Sequence, residues 1–233
     1  MNFVNCMQAP LQQPQPAPFV ARPSDFAALG IERGRPLAIV DVDEVLGLFV
    51  AGFGRFLESA GLEFRLETFS LTRSIFRPGE AVHLDPAEGR EHLHQFFRRG
   101  SFEMEPAPGA AKALAALSKR AQVVILSNAP RPARLARARW LGRHGLDYPL
   151  LLNEGPKGAA VAALAARSGG ATAFVDDMLP NLDSVAEAAP AVQRFQHVAD
   201  ERLRPLAPTA PERHVRIDDW DELHAALEEA LGA

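Results

Sequence analysis

The sequence predicts an α/β fold in which a parallel sheet carries helices on both faces. Three observations predict it. Pro36 to Val40, Gln122 to Leu126 and Ala171 to Val175 are short, largely apolar runs, each stopping abruptly at polar residues, as strands buried on both faces do. Segments of helical period separate them. Strands that alternate with helices of ten to fifteen residues build parallel sheets through crossover connections.

Taken in order, Gln8 to Pro23 alternates Pro and Gln, which support neither helix nor ladder hydrogen bonds, so residues 1–24 read as a flexible tail. The first strand ends at Asp41-Val42-Asp43. Leu48 to Ala60 places Phe49, Phe53, Phe56 and Leu57 at helical spacing, with Gly61 positioned to end the helix. Arginines, histidines and phenylalanines then crowd the chain as far as about Pro106, and residues 48–106 read as a small, mostly helical insert. Residues 25–47 and 107–233 read as the α/β core.

A helix opens at Pro108-Gly109, and the second strand ends at Ser127-Asn128. A helix from Pro132 to Leu141, a short strand at Leu150 to Leu152 and a helix opened by Pro156-Lys157 follow. The third of the clear strands runs into Asp176-Asp177. The final helix is expected to take Asp218 as its N-cap and to bury Trp220, Leu223, Leu227 and Leu231 along one stripe.

Composition narrows the function. The 25 Lys and Arg against 29 Asp and Glu give a net charge of -4, unlike proteins that hold nucleic acid or anionic lipid by bulk charge. The single Cys6 excludes an internal disulfide or a cysteine metal cage and fits a reducing compartment. No apolar run approaches the ~18 residues that span a bilayer. We expect a cytoplasmic protein with a small-molecule partner, and neither nucleic acid nor membrane.

In an open parallel sheet, ligands bind outside the carboxyl ends of the strands. Asp41, Asp43, Ser127, Asn128, Asp176 and Asp177 all follow strands, and Lys157 starts a helix. Four carboxylates at one rim repel one another and need a cation to stay ionised. An all-oxygen ligand set selects a hard ion, Mg²⁺. Such an ion beside a hydroxyl and an ammonium suits a phosphoryl group, and an in-line carboxylate can serve as nucleophile.

These residues resemble the motifs of the haloacid dehalogenase (HAD) superfamily, and the resemblance covers nearly all of the chain beyond the tail. Ile39-Val40-Asp41-Val42-Asp43-Glu44-Val45-Leu46 is similar to motif I and Val124-Ile125-Leu126-Ser127-Asn128 to motif II. Gly155-Pro156-Lys157-Gly158 resembles motif III, and Phe174-Val175-Asp176-Asp177 with Asn181-Leu182-Asp183 resembles motif IV. The resemblance implies a three-layer Rossmann-like core with a C1-type cap at 48–106. It implies Asp41 as nucleophile, Asp43 as general acid/base, Ser127, Asn128 and Lys157 on the phosphate, and Asp41, the Asp43 backbone carbonyl and Asp176 or Asp177 around the metal. Glu44-Val45 departs from the family's usual Gly-Thr.

The expected activity is a Mg²⁺-dependent phosphatase acting on a small phosphorylated metabolite through an aspartyl-phosphate. A phosphomutase, a dehalogenase or a non-catalytic HAD-like binding module are the alternatives. Asp43 weighs against the dehalogenase, whose branch generally lacks the second Asp of motif I. In the insert, Arg73, Arg77 and His83 form the nearest set for substrate recognition. Arg131 is the member of the following basic strip (Arg131, Arg134, Arg137, Arg139) nearest Ser127, and the rest of the strip reads as a solvated helix face. Phe96-Phe97 reads as the insert's own core.

Overall fold

The computed structural model describes residues 23–233. The expected tail and Cys6 lie outside the described residues, except that Pro23 and Ser24 open the first helix, α1 (Pro23–Ala27). The other elements are β1 (Leu37–Val40), α2 (Phe49–Ser59), β2 (Glu63–Phe64), β3 (Ile75–Phe76), α3 (Pro86–Arg99), α4 (Ala110–Leu117), β4 (Gln122–Ser127), α5 (Arg134–Arg143), β5 (Leu150–Leu152), α6 (Gly158–Ser168), β6 (Thr172–Asp176), α7 (Leu179–Ala188), β7 (Gln193–Gln196), β8 (Val215–Arg216) and α8 (Trp220–Leu231). No helix among the described residues is long and apolar enough to cross a membrane.

Six strands form one parallel sheet in the order β5-β4-β1-β6-β7-β8. Leu37 to Val40 pair residue for residue with Gln122 to Ile125 on one side and with Thr172 to Val175 on the other. The chain thus builds outward from β1 in one direction, then returns to build in the other. This reversal leaves a crevice at the carboxyl ends of β1, β4 and β6.

Alternate residues of the apolar strands face opposite layers, which is why the runs are continuous rather than alternating. Ala38, Val40, Val123, Ile125, Ala173 and Val175 join one buried cluster with residues of α4 and α8. Leu37, Ile39, Val124, Leu126 and Phe174 join a second, with residues of α1, α6 and α7. Burying each large apolar side chain contributes roughly 1.5–3 kcal/mol, so the strands that carry the site belong to the best-secured part of the fold.

The 48–106 segment lies between β1 and α4 in the chain, and its Phe49, Phe53 and Phe96 join the same buried cluster as Ala38 and Val40 of β1. Its helices α2 and α3 pack Phe53, Phe56 and Phe96 together, with ring centroids 5.4–6.4 Å apart. Between these helices lies an antiparallel ribbon of β2 and β3, which the sequence reading did not anticipate. Two-residue strands are too short to display a period.

β7, β8 and α7 are further additions to the predicted elements. Asp218 is not the N-cap of α8. That position belongs to Asp219, whose carboxylate accepts from the backbone N–H groups of Asp221 and Glu222. Asp218 instead accepts from Val198 N and the Arg216 guanidinium, tying β8 to the loop after β7.

Candidate active site

Each strand that reaches the crevice delivers a polar side chain at its end. The ladder continues one residue past β1 through Asp41 N donating to Val175 O at 3.0 Å, so the Asp41 side chain is carried on rigid backbone. The indole of Trp220 in α8 donates to Val45 O at 3.1 Å and anchors the turn that follows. At the end of β4, Ser127 is fully buried and its Oγ accepts from Ala129 N. Asn128 donates to Gly155 O at 3.0 Å and accepts from Asn153 at 2.9 Å, which joins the loop after β4 to the loop before α6.

Lys157 occupies the N-cap position of α6, and Gly158 explains how it gets there. A Cβ at residue 158 would lie 2.1 Å from Ser184 O, so only glycine lets α6 dock this closely on α7. The Gly158 N–H donates to Ser184 Oγ at 3.0 Å. Held in this way, Lys157 Nζ sits 2.6 Å from Asp41 Oδ1 and 2.7 Å from Asp176 Oδ2.

Asp176 is the most fully bonded carboxylate of the group. Besides Lys157, it accepts from Met178 N at 2.9 Å and from Asn181 Nδ2 at 2.9 and 3.2 Å. No hydrogen bond reaches the Asp177 carboxylate among the described residues. Ligand oxygens of Asp41, Asp176 and Asp177 lie within 4.8 Å of one another, and all three residues are buried.

The electrostatics follow from that crowding. Burial pushes the Asp41 carboxyl up to about 7, against the pull of Lys157 and with added repulsion from Asp176 and Asp43. Burial, then Asp176 and Asp41, hold Asp177 well above the ordinary carboxylate range. Burial opposes the charge on Lys157, but Asp176 and Asp41 outweigh it and raise the ammonium above its usual value. One lysine does not neutralise three buried carboxylates. A hard divalent cation would, and the all-oxygen donor set suits one.

The Asp43 carboxylate lies outside this acidic cluster. It pairs with Arg137, whose Nη2 is 2.7 Å from Asp43 Oδ1 and donates to Oδ2 at 2.9 Å. Arg137 is 1% exposed, so the expectation of a solvated basic face fails at this residue. The signal was available in the sequence: Ala133, Arg137, Trp140 and Leu141 fall on one helical stripe, and all four are buried. Arg131 and Arg134 instead line a separate groove with Asp25 and Leu29.

Glu44 takes the left-handed conformation, φ 60°, that the turn requires. That costs a non-glycine residue roughly 1–2 kcal/mol. Its carboxylate accepts from Val50 N at 2.7 Å, in the first turn of α2, and from Asp200 N at 3.1 Å. Glu44 therefore caps α2 and fastens it to the loop after β7.

Above Asp41 lies a cavity of about 480 Å³. Asp43, Glu44, Asn128, Lys157 and Asp177 line its floor, and Phe49, Phe64, Leu66, Phe69, Leu93 and Phe97 its walls. Arg73, Arg77 and His83, expected to recognise substrate, do not line it. Arg73 is exposed, Arg77 pairs with Glu88 at 2.8 Å, and His83 Nδ1 bonds Leu84 O while its ring packs on Phe76. Phe96 and Phe97 are both buried core residues, and Phe97 also lines the cavity.

No family model and no curated protein matches the chain. Among solved structures it is similar to a HAD family hydrolase from Deinococcus radiodurans with phosphate and sodium bound, at 17% identity over 85% of this chain and 97% of that one, with a TM-score of 0.57. The chain has the HAD-hydrolase fold. Similar too is the HAD-hydrolase candidate YfnB of Bacillus subtilis in a magnesium-bound form, at 15% identity over 84% and 99% of the two chains, TM-score 0.55. A third is a β-phosphoglucomutase candidate from Thermotoga maritima, at 16% identity over 83% and 99%, TM-score 0.52. In the HAD-hydrolase fold of this chain, the residues that resemble the four motifs meet in one crevice.

Proposed function

We propose that the protein is a Mg²⁺-dependent phosphatase that hydrolyses a small phosphorylated molecule through an aspartyl-phosphate on Asp41. The observation that carries this reading is the bracketing of Lys157 by Asp41 and Asp176, beside Ser127 and Asp177, at the carboxyl ends of three adjacent strands. Lys157 fixes the Asp41 carboxylate, and an ammonium so placed also meets the oxygens of an arriving phosphoryl group.

In the first step an Asp41 oxygen attacks phosphorus, the bond from phosphorus to the ester oxygen breaks, and Asp43 gives its proton to the departing alkoxide. Asp43 then takes a proton from water as that water attacks the aspartyl-phosphate, releasing phosphate and freeing Asp41. Ser127 Oγ and Asn128 orient the phosphoryl oxygens. Mg²⁺ held by Asp41 and Asp177, with Asp176 adjoining, would supply the positive charge that lets carboxylates and phosphate share the crevice. Asp176 chiefly holds Lys157, since its oxygens already accept from three residues.

The 48–106 segment acts as a cap that keeps bulk water off the intermediate. The test is phosphate release from a panel of phosphomonoesters with Mg²⁺ and with EDTA. Turnover that needs both Mg²⁺ and Asp41 supports the proposal. Turnover indifferent to either opposes it.

A further inference from the structure

The cavity over Asp41 has its charge entirely at the floor. Asp41, Asp43, Glu44, Asp177 and Lys157 are the charged residues that line it, and the 48–106 segment contributes none among the described residues. That segment instead supplies phenylalanine and leucine side chains. Its polar share of the wall is three hydroxyls on one loop, Thr68, Ser70 and Thr72. Lys157 is committed to Asp41 and Asp176, and the neighbouring buried cation, Arg137, to Asp43.

Resting on the phosphatase reading above, we propose that the natural substrate is a phosphomonoester whose leaving alcohol is uncharged and predominantly apolar, an aryl or long alkyl group bearing at most one or two polar substituents. A second anion on the leaving group would find no cation above the floor, and the carboxylates below would repel it. A polyhydroxylated sugar would exchange its hydrogen bonds with water for contact with phenyl rings, and most of its hydroxyls would go unpaired. An apolar chain would cover Phe64, Leu66, Phe69 and Leu93, which are half-buried and otherwise face the cavity.

The experiment compares kcat/KM at saturating Mg²⁺ for ethyl, butyl, hexyl and 3-phenylpropyl phosphate, whose leaving groups have similar basicity. Glucose 6-phosphate and phosphoglycolate serve as hydroxylated and anionic comparators. The expected result is a rise of about fourfold per added methylene, with both comparators at least about tenfold below hexyl phosphate. Phe69→Ala should flatten the series, costing hexyl phosphate about tenfold and ethyl phosphate little. A flat series, preference for either comparator, or an equal loss on both alkyl esters in Phe69→Ala would overturn the assignment while leaving the phosphatase reading intact. Absence of Mg²⁺-dependent turnover for every ester, p-nitrophenyl phosphate included, would overturn the phosphatase reading and this assignment with it.

Discussion

Arg137 Nη2 lies 2.7 Å from Asp43 Oδ1, and this contact brings a fully buried guanidinium from α5 to the carboxylate proposed as acid and base. Among the described residues the Arg137 Nε and Nη1 atoms find no hydrogen-bond partner, and the guanidinium carbon lies 5.7 Å from the centre of the Phe97 ring. Burying a guanidinium with so few bonds is costly, and we propose that Arg137 sets the direction of Asp43. Arg137→Met keeps the volume and removes the guanidinium. Kinetics should show kcat reduced about 10- to 100-fold with KM little changed. Added to Asp43→Asn, the same change should cost almost nothing more, because both variants break one unit.

Removing metal should loosen the protein as well as stop it. Burial pushes Asp41 and Asp177 up, with Asp176 and Asp43 adding to the first and Asp176 and Asp41 to the second, and a divalent cation relieves that repulsion in the folded state alone. A thermal melt in Mg²⁺ should therefore exceed one in EDTA, by about 2.7 kcal/mol of stability when the ion is at a hundred times its Kd. In Asp177→Asn the difference between the two melts should largely disappear.

Gly158→Ala tests how Lys157 is placed. The new methyl would meet Ser184 O at 2.1 Å, and backbone cannot give way as a side-chain end can. We expect a loss of about 1–3 kcal/mol in denaturant unfolding, as for other overpacked sites. Activity should fall further than the lost stability explains, since α6 moves away from Asp41 and Asp176.

His197 sets an acid limit on stability. It is 1% exposed, its Nδ1 donates to Ile217 O at 2.8 Å, and its ring packs against Trp220. Burial lowers its pKa, with the hydrogen bond to Ile217 opposing. The folded protein thus keeps the imidazole neutral while the unfolded chain takes a proton near pH 6.5. Stability from this group is complete above pH 6.5 and drains away as the pH falls below it, by at most about 1.4 kcal/mol per pH unit. His197→Asn keeps a donor for Ile217 and removes the titration. Its unfolding free energy should decline less steeply between pH 6.5 and 5 than that of the parent.

The sheet was legible where the chain is buried on both faces. β1, β4 and β6 are continuous apolar runs, and the polar residues that stop them fall at strand ends, where the topology gathers them. β7 and β8 were not legible, because Gln193-Arg194-Phe195-Gln196 and Val215-Arg216 are short and part-exposed and carry no such pattern. Arg137 was hidden by its neighbours: counting charge along α5 suggested a wet face, while the stripe it shares with Trp140 shows a buried one. Arg73 and Arg77 failed for the converse reason, since charge in the sequence does not reveal which way a loop points. Glu44 stands in a left-handed turn where the motif it resembles usually has glycine, and its offsetting bond to Asp200 depends on a contact across the fold.

In the proposed mechanism Asp41 itself carries the phosphoryl group. The most direct measurement is a single turnover with Mg²⁺, quenched in acid within the reaction time, followed by mass analysis of the peptide that contains Asp41. A phosphoryl adduct on Asp41 should form and decay with phosphate release. Asp41→Asn should show no adduct and at least about 10³-fold slower release. Full phosphate release with Asp41 unmodified, and an Asp41→Asn protein turning over at the parental rate, would contradict that mechanism.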